Sequence, residues 1–109
     1  MNFKEYDVNV AKTAIYPSRG SNIHYPTLGL GGEVGEIFEK LKKIARDKGG
    51  NMSTQDRKDL MHECGDVLWY LSTFLFELGY SLEEAAKANN KKLLDRQARG
   101  VIGGSGDNR

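Results

Sequence analysis

Apolar residues recur at three- and four-residue spacing through most of the chain, and this spacing predicts α-helices. Four helices are expected: from Asn2 to Ile15, from near Tyr25 to about Asp47, from the Ser53 cap to about Leu78, and from the Ser81 cap to Arg96. No stretch alternates polar and apolar residues for long enough to predict a strand. We therefore expect an all-α fold, a four-helix bundle.

The last two predicted helices begin with residues that favour a helix N-terminus. Ser53 is followed by Asp56, and Ser81 is followed by Glu84, so that each hydroxyl stands three residues before an acid. A serine at the cap accepts a backbone N–H, and an acid in the first turn complements the helix dipole. Ser81 and Glu84 also form a capping box, in which the acid returns a bond to the cap residue. These two motifs fix where the third and fourth helices start.

Length and composition narrow the class of protein. The 109 residues suit a single domain, which we divide into a helical part, residues 1–98, and a glycine-rich tail, residues 99–109. Sixteen Lys and Arg residues balance fifteen Asp and Glu residues, so net charge provides no bulk attraction to nucleic acid or membrane. The polar N-terminus and the lack of a long apolar run predict neither a signal peptide nor a membrane span.

The single cysteine excludes an internal disulfide framework. Cys64 falls on the apolar stripe of the third predicted helix. We therefore expect a buried thiol, kept reduced in the cytoplasm.

Two similar acidic motifs lie in the two long helices. One pairs Glu33 with Glu36, the other pairs Glu63 with Asp66, and a glycine directly precedes the second acid in each. Acids three residues apart share a helix face and repel each other, and no basic residue lies between them. On both helices the acids fall ~60° and ~120° to the same side of the apolar stripe. If the stripes pack together, the four carboxylates meet along one edge and can hold a divalent cation. The alternative is two ordinary acidic surfaces.

The fourth predicted helix carries basic residues at helical spacing. Lys92 and Arg96 are four residues apart, with Asn90 and Arg99 close by in sequence. Such cations can bind phosphate oxygens, or they can be a solvated helix end that complements the helix dipole. Beside a metal–carboxylate site, the combination favours phosphoryl chemistry.

Aromatic residues accompany both acidic motifs. His24 and Tyr25 precede the first, and Trp69 follows the second. They are candidates for a nucleobase pocket. A structural role is the alternative for each: the start of a helix for His24 and Tyr25, and the core for Trp69.

These motifs together resemble the Glu-x-x-Glu…Glu-x-x-Asp signature of the MazG-like, all-α nucleoside triphosphate pyrophosphohydrolases. Twenty-six residues separate the two acidic motifs. The stretch from Tyr25 to Gly35 resembles the family, as does the Asn-x-Lys-x-x-x-Arg element formed by Asn90, Lys92 and Arg96. The resemblance implies Mg²⁺-dependent hydrolysis between the α- and β-phosphates, which releases the monophosphate and pyrophosphate. It also implies a helical homodimer, often paired into a homotetramer, and a cytoplasmic role in nucleotide-pool housecleaning.

The residues and the resemblance together give an expected site. The metal ligands and catalytic residues are Glu33, Glu36, Glu63 and Asp66; Mg²⁺ is the expected ion, with Mn²⁺ possible, and Glu36 activates or orients the attacking water. The phosphate-binding residues are Lys92, Arg96 and Arg99. The substrate-binding residues are Asn90, His24, Tyr25, Trp69, Asp107 and Asn108. A non-enzymatic helical dimerisation or regulatory module that binds a structural ion is the alternative function.

Two further expectations concern the ends of the bundle. Phe74, Leu75, Phe76 and Leu78 spread apolar surface over more than one face of the third helix, which predicts at least a homodimer. The glycine-rich tail is expected to become ordered over a bound triphosphate. The alternative for the tail is a dispensable end.

Overall fold

The computed structural model describes residues 1–107, and these form four α-helices and no strand. Their bounds are α1 Phe3–Thr13, α2 His24–Lys48, α3 Thr54–Leu78 and α4 Leu82–Ala98. Every bound lies within two residues of the expected one. The all-α expectation is therefore confirmed.

The helix ends form as the sequence predicts. Ser53 and Ser81 accept the backbone N–H groups of Asp56 and Glu84 at 3.0 and 3.1 Å, and both acids return a bond to the cap residue. The helix α3 ends at Gly79, whose φ of 82° is a left-handed conformation that glycine adopts without steric cost.

The helices α2 and α3 form a long antiparallel hairpin. Each has 25 residues, and they make the most extensive contact between helices. The turn between them begins at Gly49, with a φ of 60°. An ion pair crosses this end of the hairpin, with Lys48 Nζ 2.8 Å from Asp56 Oδ2.

The helices α1 and α4 pack against α3 and against each other. Asp7 of α1 joins the three elements, because its carboxylate accepts the hydroxyl of Ser72 at 2.5 Å and the backbone N–H of Leu82 at 3.1 Å. A small core lies between α1 and α3. Its members are Val10, Ala14 and Tyr16, with Tyr6 and Trp69 packed against them.

The loop between α1 and α2 is fastened to α3 by Glu77. Its carboxylate accepts the Tyr16 hydroxyl at 2.5 Å, the backbone N–H of Gly20 at 2.9 Å and that of Asn22 at 3.4 Å. Burial raises the pKa of Tyr16 to about 12, and the bond to Glu77 adds to the effect. Because Asn22 also accepts the N–H of Tyr25, this anchor sets where α2 begins.

Much of the apolar surface remains exposed in the single chain. The radius of gyration is 17.0 Å, whereas a compact chain of this length has about 13 Å. The exposed apolar residues of the hairpin include Leu28, Phe38, Leu41, Met61, Phe76 and Leu78. None of the helices within residues 1–107 combines the length and apolarity needed to cross a membrane.

The expected burial of Cys64 is wrong for the single chain, because the thiol-bearing residue is exposed. The hydrogen bonds between α1 and α3 are made by later residues of α3, Trp69 and Ser72, rather than at the level of Cys64.

Candidate metal and phosphate site

The antiparallel hairpin brings together three of the four expected acids. Oxygen atoms of Glu33 on α2 and of Glu63 and Asp66 on α3 all lie within 4.8 Å of one another. Glu33 and Glu63 are half-buried, and Asp66 is exposed. The two acidic motifs therefore meet along one edge of the contact between α2 and α3, as their helical phase predicts.

The fourth acid, Glu36, lies outside this group of three. It is exposed, one turn further along α2 than Glu33. Its charge still acts on the site, because it is one of the neighbours that raise the pKa of Glu33.

The site has a high density of negative charge. Burial raises the pKa of Glu33 above its ordinary value, and the surrounding acids raise it further. These acids are, in falling order of effect, Asp66, Glu63 and Glu36. A shift in this direction means that the ionised form of Glu33 is disfavoured where it stands, so a cation bound here would relieve the repulsion.

One basic side chain already reaches the acids. Lys40 Nζ lies 3.5 Å from Glu63 Oε1, and this pair is partly shielded from solvent. The residues between the paired acids do not include this lysine, so the acidic motifs alone do not predict the contact. Its position, four residues after Glu36 on the same helix, was a usable signal, because residues four apart share a face.

The three carboxylates suit a hard divalent cation. Mg²⁺ and Mn²⁺ prefer oxygen ligands, and oxygens within 4.8 Å of one another can reach the same ion. No thiolate or imidazole belongs to the group, so its chemistry does not favour a softer metal. The residues present therefore fit the expected ion, and Glu33, Glu63 and Asp66 would be its ligands.

A cluster of aromatic rings lies beside the carboxylates. The rings of Tyr16 and Tyr25 stack with centroids 4.7 Å apart, and Tyr25 is 6.3 Å from Tyr70. Burial raises the pKa of Tyr70, and the Tyr25 hydroxyl and the charges of Glu33 and Asp66 add to the shift. Tyr70 lies one helical turn after Asp66 on α3 and is therefore a neighbour of the acidic group.

The remaining residues expected to bind the base have different positions. Trp69 donates its ring N–H to the Thr13 hydroxyl at 2.8 Å and packs against the core, which is the structural alternative for this residue. His24 is the exposed first residue of α2, and Asn90 is exposed on α4.

Two of the three expected phosphate-binding residues, Lys92 and Arg96, contact Asp107 of the tail in this structure. Lys92 Nζ lies 3.2 Å from Asp107 Oδ1, and the Arg96 guanidinium contacts the same oxygen at 3.3 Å and the backbone oxygen of Asp107 at 2.8 Å. Arg96 is only 3% exposed. These two cations lower the pKa of Asp107, with Lys92 contributing most. Arg99 pairs with Asp95 at 2.8 Å.

The chain does not itself place the cations of α4 against the acids of α2. Within residues 1–107, α4 packs on α1 and α3, whereas α2 packs on α3. Asn108, the other tail residue expected to contact substrate, lies outside the described residues.

Comparisons with known proteins identify the family and a relative of the chain. The sequence model of the MazG nucleotide pyrophosphohydrolase domain matches residues 24–101, a range that contains all four acids and the cations of α4. The chain is also 44% identical to the Gene 37 protein of Mycobacterium phage L5 over 114 aligned positions, which cover all of both chains. No solved structure shows a significant match.

Proposed function

Because the chain belongs to the MazG nucleotide pyrophosphohydrolase domain family, we propose that it hydrolyses a nucleoside triphosphate between the α- and β-phosphates. The products are the nucleoside monophosphate and pyrophosphate. The observation that carries this proposal is the group of three carboxylates from α2 and α3 within 4.8 Å of one another. The family match and this geometry both rest on Glu33, Glu63 and Asp66, and they support the same function.

The carboxylates would hold Mg²⁺, or Mn²⁺ in its place. Bound there, the ion would neutralise triphosphate oxygens and make the scissile phosphorus more electrophilic. Glu33, Glu63 and Asp66 supply the ligands, and Glu36 joins them or orients the attacking water. Glu36 suits the second role because it is exposed and adjacent to the group without belonging to it.

The basic residues of α4 would bind the phosphates that are not on the metal. Lys92, Arg96 and Arg99 supply donors for phosphate oxygens, Arg in bidentate fashion. In this structure the Asp107 carboxylate forms ion pairs with Lys92 and Arg96. A triphosphate would therefore displace this carboxylate, and the released tail, including Asp107 and Asn108, would close over the nucleotide.

A second subunit would complete the site. The exposed apolar surface and the large radius of gyration support a homodimer or homotetramer, and α4 packs away from α2 within one chain. In such an assembly, Lys92 and Arg96 of one subunit would face the carboxylates of its neighbour. The base would lie near Tyr25, His24 and Asn90.

The biological role proposed is removal of unwanted nucleotides from the cytoplasmic pool. A panel of standard and modified ribo- and deoxyribonucleoside triphosphates would define the base and sugar preferences.

Single substitutions of the acids test the proposal. Glu33→Gln, Glu63→Gln and Asp66→Asn should each lower turnover by about 100-fold or more. Each variant replaces one of the carboxylates that would coordinate the metal ion. Glu39→Gln is the matched control, because Glu39 is an exposed acid on α2 paired with Lys42.

The outcomes separate the two candidate functions. The enzyme is supported if the wild-type chain and the Glu39 variant release pyrophosphate in a metal-dependent reaction and the three other variants do not. Metal binding without turnover of any nucleotide would instead favour the regulatory module.

A further inference from the structure

The ring of Tyr70 packs directly onto the backbone of α2 at Gly29. A Cβ atom placed on Gly29 would lie 2.1 Å from Cε1 of Tyr70 and 2.5 Å from two further ring atoms. Real side chains do not approach so closely, so only glycine admits the ring at this position. The other glycines of the same stretch, Gly31, Gly32 and Gly35, have no heavy atom within 4 Å of the equivalent point.

This contact lies one helical turn from the carboxylate group on both helices. Gly29 is four residues before Glu33 on α2, and Tyr70 is four residues after Asp66 on α3. Because the helices are antiparallel, the pair Gly29 and Tyr70 is the neighbour of the pair Glu33 and Asp66, about 6 Å along the hairpin. The distance between α2 and α3 at one pair therefore constrains the distance at the other.

The Tyr70 ring is itself held from the sides. Its centroid lies 4.9 Å from that of Trp69 in an edge-on arrangement, and 6.3 Å from that of Tyr25. Trp69 is in turn fixed by its bond to Thr13. A group added at Gly29 cannot be accommodated by a free rotation of the ring, so either the ring leaves its place or the helices separate.

We propose that Tyr70 is a positioning residue for the metal site, and that Gly29 is the position that admits it. The ring sets the separation of α2 and α3 next to the acids, so that Glu33 comes within reach of the same ion as Asp66. This inference rests on the metal site of the proposed function and adds the residues that give it its geometry. Tyr70 acts through Glu33 and Asp66 and need not touch the substrate.

Metal binding in the absence of nucleotide tests the proposal. Mn²⁺ affinity would be measured by titration calorimetry on the full chain, together with the melting temperature without metal. Gly29→Ala should weaken Mn²⁺ binding by about 10- to 100-fold, the range found when groups that support metal ligands are changed. Gly31→Ala makes the same change on the same helix in open space, and it should leave the affinity unchanged.

Variants of the ring separate positioning from a general loss of structure. Tyr70→Phe keeps the ring and should retain Mn²⁺ affinity, whereas Tyr70→Ala should weaken it by about 10- to 100-fold while leaving it measurable. Once the ring is absent, Gly29→Ala has nothing to displace. The double variant Gly29→Ala/Tyr70→Ala should therefore bind Mn²⁺ as Tyr70→Ala does, a non-additivity that unrelated structural defects would not produce.

Two results would overturn the proposal, for different reasons. Wild-type affinity in Gly29→Ala, or additive losses in the double variant, would show that the contact does not set the site, while leaving the proposed function intact. Failure of the wild-type chain to bind Mn²⁺ would remove the metal site itself, and the positioning role with it.

Discussion

The ammonium group of Lys40 lies 3.5 Å from Oε1 of Glu63, inside the acidic group formed by α2 and α3. A positive charge therefore lies beside the negative charges of Glu33, Glu63 and Asp66. A lysine at this distance competes with a metal ion for the same carboxylate, and it would be free to turn to a phosphate once the ion is bound. The competition can be measured.

Removing Lys40 should tighten metal binding. Lys40→Met removes the ammonium group that pairs with Glu63. Mn²⁺ should therefore bind a few-fold more tightly without nucleotide, since partly exposed ion pairs are modest in strength. Lys42→Met is the control, because Lys42 pairs with the exposed Glu39 away from the acids. Equal Mn²⁺ affinity in the two variants would show that Lys40 does not compete.

Glu77 should make stability depend on pH. Burial tends to raise its pKa, but bonds from Tyr16, Gly20 and Asn22 hold the pKa below the ordinary range. The ionised carboxylate therefore stabilises the fold above its unfolded-state pKa of about 4.3, and this contribution is lost as pH falls through the lower folded-state value.

Glu77→Gln should accordingly lower the free energy of unfolding by about 1.5–3 kcal/mol near neutral pH, the contribution of a hydrogen bond to a charged group. Denaturant titrations of both proteins should converge as pH falls below the folded-state pKa of Glu77. Glu83→Gln, which neutralises an exposed acid paired with Lys87, is the control for removing one surface charge. A constant difference across the pH range would contradict the role assigned to Glu77.

Asp107 should compete with anions for the cations of α4. Its side chain is 82% exposed and contacts Lys92 and Arg96. These ion pairs are therefore weak, and an anion can displace the carboxylate. Asp107→Asn should bind pyrophosphate a few-fold more tightly than the wild-type chain, as measured by calorimetry. Asp47→Asn is the control, since Asp47 pairs with Arg46. Unchanged pyrophosphate affinity would place the phosphate site elsewhere.

Mixed dimers should show whether two chains share a site. Asp66→Asn removes an acid, and Lys92→Ala removes a cation, and each homodimer should be nearly inactive. If the acids of one subunit work with the cations of the other, a dimer with one chain of each kind has one intact site. Co-expressed, doubly tagged mixed dimers should then recover up to about half the wild-type turnover per dimer. No recovery, or a monomer in sedimentation, would contradict the shared site.

The sequence predicts the helices well because their signals are local. Ser53 and Ser81 fix helix starts, Gly79 fixes a helix end, and the apolar stripes give the register. The meeting of Glu33 with Glu63 and Asp66 also follows from helical phase, because one packed hairpin determines it.

Other features depend on packing that no local pattern encodes. The contact of Gly29 with Tyr70 joins a glycine-rich segment of α2 to an aromatic segment of α3, and the two residues are 41 positions apart in sequence. The anchor of Glu77 on the α1–α2 loop is likewise formed by residues distant in sequence. The exposure of Cys64 likewise depends on packing. The apolar stripe of α3 predicts which face of the helix is apolar, but not how many helices cover that face.

The most direct test of the central claim is the identity of the products. Phosphorus NMR of a nucleoside triphosphate incubated with the protein and Mg²⁺ should show stoichiometric monophosphate and pyrophosphate, with no diphosphate or orthophosphate from the enzyme. The same reaction should stop in EDTA and in Asp66→Asn, and continue in Glu39→Gln. Release of orthophosphate and diphosphate, or pyrophosphate release that persists without a divalent cation, would contradict a metal-dependent pyrophosphohydrolase built on Glu33, Glu63 and Asp66.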